Sequence, residues 1–185
     1  MQSDFYLPTS ERRSSTHDYE KKSQAQFLRF HLVPDTNVML PIFQLSEVLS
    51  IPYGQIVPIP AMPAWVMGVY NWRGEILWMV DLGHLVGLIP WYQQTVSSSN
   101  HRAVVLNANL GRSARSSHGR NEMLGLVVNR IEDIEWCNPD EFYSPPASAV
   151  SSELATFLRG YWLKQNGEML VALDGEAIMA AMPKP

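Results

Sequence analysis

Apolar and polar positions begin to alternate at Gln26, and a period of two dominates from there on. Leu28, Phe30 and Leu32 alternate with Phe27, Arg29 and His31, which predicts a strand with one buried face. Pro34-Asp35-Thr36-Asn37 predicts a turn, and Val38, Leu40 and Ile42 resume the alternation, so the two segments read as a hairpin. Pro41 lacks a ladder donor and points to an edge strand or a bulge. Phe43–Leu49 fits either a helical turn or a continuing strand. Pro52, Pro58, Pro60 and Pro63 exclude a helix over residues 51–63 and leave an extended surface segment. Trp65–Tyr70 and Glu75–Leu82 are apolar runs joined by Asn71-Trp72-Arg73-Gly74, a composition suited to a four-residue reverse turn. Leu82, Leu85 and Val86 have helical spacing, and Gly87 suits the cap of a short helix. Ala103–Ala108 and Leu124–Ile134 predict strands on either side of a long polar loop. Leu158–Lys164 and Glu168–Leu173 flank Gln165-Asn166-Gly167, a strong hairpin signal, and Asp174–Met182 predicts a terminal helical turn.

Many short strands, frequent turn signals and only short helices predict an all-β barrel or sandwich. The segments NWRGEILWMVDLGHLVGL and KQNGEMLVALDGEAIM share a turn, Gly-Glu, an apolar strand and a short helix, which suggests an internal duplication. Residues 1–24 are polar, mixed in charge and without period, and read as a disordered leader; residues 25–182 read as one domain. The leader has no apolar stretch of the kind a secretory signal carries, and no uninterrupted apolar run of ~20 residues predicts a membrane span.

With 46% hydrophobic and 17% charged residues among 185, the chain is expected to fold. Its net charge of −4 argues against general nucleic-acid binding. The single cysteine, Cys137, excludes an intramolecular disulfide and a multi-cysteine metal site, fits a cytosolic compartment, and reads as a small apolar packer. His17, His31, His84, His101 and His118 show no ligand spacing and read as surface groups, so no metal is expected. No nucleophile elbow, Walker loop or dinucleotide fingerprint occurs, and no cofactor is expected. Carboxylates of Glu75, Asp81, Glu132, Asp133 and Glu135 are placed at the surface. Arg112, Arg115 and Arg120 in the 109–122 loop leave open a small anion-binding β-barrel or enzyme. Trp72, set in a predicted turn beside Arg73, is either a protein-binding anchor or a side chain folded back onto the barrel.

At GVYNWRGEILWMVDLGHLVGL the chain resembles the CheW family of chemotaxis adaptors, with Gly68-Val69, Asn71, Arg73-Gly74, Asp81-Leu82 and Gly87-Leu88 in register. FLRFHLV, MLPIFQLSEVLSI, LGLVVNRIEDI and FLRGYWLKQNGEMLVALDGEAIM resemble the family's other segments in the same order. The chain departs from the family pattern at Trp72, usually Leu, and at Trp78, usually Pro. The resemblance implies two packed five-stranded SH3-like β-barrel subdomains with short helices and no catalysis. It implies an adaptor that couples the regulatory domain of a CheA-type histidine kinase to the tips of methyl-accepting chemoreceptors. It carries over Leu45, Glu47, Gly68 and Arg73 as receptor-facing positions, with an ion pair between Glu47 and Arg73. Related adaptors serve type IV pilus twitching motility and phototaxis, which the same resemblance leaves open.

Overall fold

A computed structural model describes residues 24–95, 98–107, 123–146, 148 and 150–183. The strands are β1 (Ala25–Leu32), β2 (Thr36–Pro41), β3 (Leu45–Pro52), β4 (Val66–Trp72), β5 (Glu75–Asp81), β6 (Asn100–Asn107), β7 (Met123–Val128), β8 (Arg130–Cys137), β9 (Leu158–Leu163) and β10 (Met169–Leu173). Among the described residues short α-helices accompany them: α1 (Leu82–Leu85), α2 (Ser152–Phe157) and α3 (Gly175–Ala181). The expected all-β class holds.

The strands form two five-stranded sheets, ordered β8-β1-β2-β10-β9 and β3-β6-β7-β5-β4. Place for place the two are alike. In each, three antiparallel strands are followed by one parallel step, β2 to β10 or β7 to β5, and then by an antiparallel hairpin. A helix follows that hairpin in both, which gives the internal duplication its structural form. The second sheet is continuous in sequence, whereas the first is assembled from both ends of the chain around it.

Three apolar clusters hold this arrangement. The largest lies between the sheets and takes Phe30, Leu32, Val38 and Leu40 from one, Val80, Val104, Leu106, Leu124, Leu126 and Val128 from the other, and Phe157 and Ile178 from α2 and α3. A second fills the inside of the second sheet with Ile51, Leu77, Met79, Ala103, Val105 and Val127. A third fills the first sheet with Phe27, Met39, Cys137, Leu170 and Ala172. Each sheet thus curls on its own interior in the SH3 manner, and its outer strands face each other across a seam.

Several expectations change. Strand β1 is covered on both faces: Phe30 and Leu32 face the shared core, while Phe27 points into the first barrel. Strand β2 is interior, not an edge; Pro41 is tolerated because it ends the strand beyond the Val38 and Met39 pairing with β10. Residues 42–52 hold both anticipated forms, a 3₁₀ turn at Ile42–Gln44 followed by β3. Leu124–Ile134 is two strands in different sheets, because the chain crosses between the barrels at Asn129. The arginine loop and most of the leader lie outside the described residues.

Candidate functional site

The second barrel's seam brings together three of the residues singled out from sequence. Arg73 (φ 54°) and Gly74 (φ 86°) form the two-residue turn of the β4–β5 hairpin, with Trp72 paired to Glu75. Two successive left-handed residues match the twist of a tight hairpin. The loop is therefore shorter than the four residues expected, and Trp72 is the last residue of β4. Its ring is half-buried against the second barrel's core, and its indole Nε1–H donates to Glu47 Oε2 on β3 at 3.2 Å. Arg73 NH2 lies 2.9 Å from the same Oε2, and its guanidinium sits 5.1 Å from the Trp72 ring centroid. Glu47 thus latches β4 to β3, the two outer strands of one sheet, through an indole and a guanidinium at once.

Exposure separates the roles within this trio. The Arg73 side chain is 70% exposed and that of Glu47 is 31% exposed, so the ion pair contributes only ~0–1 kcal/mol to stability. Its geometric effect is larger: the guanidinium is held over an aromatic ring while its side chain stays mostly exposed.

Leu45 and Gly68 sit differently. A β-bulge between Leu45 and Glu47 separates the two, and Leu45 packs against the core between the sheets. Gly68 is buried, with φ of 138°; a Cβ there would stand 2.1 Å from the Val57 carbonyl oxygen. The reason is the bridge between Val57 and Val69, closed by mutual N–H···O bonds of 2.8 and 2.9 Å, which lays the proline-rich segment across β4. Gly68 makes that close approach possible and so shapes the surface beside the trio.

Two clusters were not anticipated. In the first barrel Arg29 is paired with Glu132 at 2.6 Å, Glu135 at 3.4 Å and both carboxylate oxygens of Glu168, and Lys164 Nζ reaches Glu135 at 2.6 Å. Burial alone would disfavour the Arg29 charge, but the hydrogen bonds it donates to Glu168 and the surrounding carboxylates raise its pKa. The Arg130 hydrogen bond and the Arg29 charge hold Glu132 below its ordinary value in spite of partial burial. Lys164 lies opposite Glu168 as Trp72 lies opposite Glu75, and from these matching hairpin positions each reaches across its seam to a glutamate, Glu135 or Glu47. The sequence carried little signal for it, since Arg29 falls on the face opposite Leu28, Phe30 and Leu32 and reads as a solvent position.

The second cluster surrounds a cavity of about 250 Å³ lined by Tyr53, Asp81, Trp91, His101, Arg102 and Asn129, among others. His101 is buried, not solvated, and packs against Tyr53 and Trp91 with ring centroids 4.4 and 4.8 Å away; burial lowers its pKa. Asp81 is also buried. It caps α1 by accepting from His84 N at 3.1 Å and accepts from Trp91 N at 2.8 Å. Burial raises its pKa, and those two amides pull it back down. The expected surface placement therefore fails for Asp81, Glu132 and Glu135, because each answers a buried donor or cation. Cys137 is a core residue whose thiol is pushed up to about 12 by burial, with Glu135 and Glu141 acting in the same direction. Among the described residues no three His, Cys, Asp or Glu could hold a metal ion, and no helix is long and apolar enough to cross a membrane.

Residues 26–182 match the family described as CheW-like domain. The chain belongs to that family. A CheW-like fold also explains the paired sheets, since the crystal structure of the scaffolding protein TtCheW from Thermoanaerobacter tengcongensis superposes with a TM-score of 0.61. That likeness covers 81% of this chain and 88% of TtCheW at 21% sequence identity. Among curated relatives, the chemotaxis protein CheW of Treponema pallidum (strain Nichols) is 26% identical over 158 residues, 77% of this chain and 82% of the relative. A probable chemotaxis protein CheW of Rhizobium etli is 27% identical over 122 residues, 66% of this chain and 68% of the relative.

Proposed function

We propose that this CheW-like chain is a non-enzymatic cytoplasmic adaptor that couples a CheA-type histidine kinase, through its regulatory domain, to methyl-accepting chemoreceptor tips. The observation that carries this reading is the Glu47–Trp72–Arg73 trio on a CheW-like frame. An exposed guanidinium stacked on an indole and fixed by a carboxylate suits protein recognition, because aromatic and arginine side chains dominate interface energetics. In this reading Arg73 and Glu47 face the receptor, Trp72 holds the guanidinium over its ring, and Leu45 and Gly68 support them from beneath. The relatives named for chemotaxis and the scaffolding protein of like fold support the assignment.

Arg73→Ala separates the two partner surfaces. It is expected to weaken co-sedimentation with receptor-containing membranes at least about tenfold, a loss of ~1.4 kcal/mol, and to leave calorimetric affinity for the kinase regulatory domain within about twofold. Equal loss of both would contradict the assignment of Arg73.

A further inference from the structure

The duplication reaches beyond the sheets. In the second barrel the segment that joins β3 to β4 lies across β4: Val57 bridges Val69, Ile56 packs into that barrel's core, and Gly68, the residue before Val69, leaves room for it. The first barrel repeats the arrangement between β8 and β9. Tyr143 bridges Tyr161 through mutual N–H···O bonds of 2.7 and 2.8 Å, and Phe142 packs inward with its ring centroid 5.6 Å from that of Phe27. Gly160, the residue before Tyr161, is buried; a Cβ there would stand 2.9 Å from Phe142 Cβ and 3.2 Å from the Tyr143 carbonyl oxygen. Neither atom can swing aside by a rotamer change, so any side chain at Gly160 displaces the segment itself.

This segment is tied to its barrel at few points. It leaves β8 at Cys137, makes one 3₁₀ turn over Pro139–Glu141 and crosses β9 at Phe142 and Tyr143. Beyond the crossing, Pro145 and Pro146 have no N–H with which to extend a ladder. Its hold comes from the Tyr143–Tyr161 bridge, from the Phe142 ring packed on the cluster of Phe27, Met39 and Cys137, and from the Arg159 guanidinium 6.0 Å from that ring's centroid. None of the ladders that order the first sheet runs through residues 138–146, so the segment can part from β9 without unpairing a strand.

We propose that residues 138–146 are a strap that lifts as a unit from the first barrel while its five strands stay paired, and that Gly160 is the residue that lets the strap seat. Seated, the strap closes the barrel over Phe27 and Cys137. Lifted, it opens that interior to solvent and carries away Tyr143, which is 65% exposed on the barrel's outer surface. The Glu47–Trp72–Arg73 trio takes no part, so the molecule has one adjustable surface and one fixed one. This inference stands apart from the adaptor assignment, since it concerns the opposite barrel and needs no other protein.

Cys137 is buried beneath the strap and is the chain's single cysteine, so its rate of modification by dithionitrobenzoate in the full chain reads the opening. In the natural chain that rate is expected to change less than about twofold between zero urea and half the unfolding midpoint, as a local opening requires. Gly160→Ala is expected to raise it at least about tenfold. Tyr143→Pro, which removes the donor to Tyr161 at an exposed position, is expected to do the same. Phe142 already holds the φ of −73° and ψ of 132° that a following proline requires. Gly68→Ala loosens the other barrel's strap and is the control, with an expected change of less than about twofold. Labelling that rises with urea as steeply as global unfolding, an unchanged rate in both first-barrel variants, or an equal acceleration by Gly68→Ala would overturn the proposal.

Discussion

At the scale of single residues, the clearest consequences follow from backbone geometry and buried polar groups. Gly68→Ala places a methyl on the Val57 carbonyl and demands a left-handed φ, so it is expected to cost more than about 2 kcal/mol in urea unfolding and to release segment 56–60 from β4. Arg73→Ala, by contrast, should change stability by less than about 1 kcal/mol, since its partner pair is exposed. His101 supplies a pH test. Its folded pKa lies below the ordinary 6.5, so the unfolded chain binds the extra proton and stability contributed by neutral His101 is lost as pH falls below about 6.5. Asp81, in the same cavity, has a raised pKa and acts with the opposite sign, its contribution fading as pH rises through the folded value. Comparing urea midpoints at about pH 7 and 5 isolates the histidine: His101→Phe keeps the ring stack and should lose less stability between them than the natural chain. An equal loss would show that His101 does not titrate on unfolding in that range.

At the scale of elements, the first barrel depends on an ion network where the second depends on apolar packing. Arg29→Met leaves Glu132, Glu135 and Glu168 together without their shared cation, and is expected to destabilise by ~3–5 kcal/mol in chemical unfolding. The strand pattern was legible because alternation and turn chemistry are local: β1, β2, β4, β5, β9 and β10, and the helix capped by Asp81, fall where period and Gly or Asn-Gly signals put them. What escaped was non-local. The crossing at Asn129 splits one apolar run between two sheets, and nothing in a period of two marks the point where a strand changes partner. The inward face of β1 was hidden for the same reason, since Arg29 looks like a solvent position until three carboxylates from distant segments meet it. At the trio, the pairing of Glu47 with Arg73 was legible only through family resemblance. The hydrogen bond from Trp72 to Glu47 depends on the curl of the sheet, which brings its two outer strands together.

At the scale of the whole molecule, two like barrels packed through a shared core offer different seams. The second carries a guanidinium over an indole; the first carries a groove lined by Trp136, Trp162 and Leu163, beside an outer strand β9 that Tyr143 bridges at Tyr161. An adaptor needs separable surfaces on a stable frame, and the continuous apolar core between the sheets supplies that frame. The central claim is that these surfaces act by binding kinase and receptor together. Titration calorimetry of the natural chain with the regulatory domain of its cognate CheA-type kinase tests this most directly. The account predicts saturable binding with Kd on the order of 1 μM, about −8 kcal/mol; the absence of any binding to that domain at concentrations a hundredfold higher would contradict it.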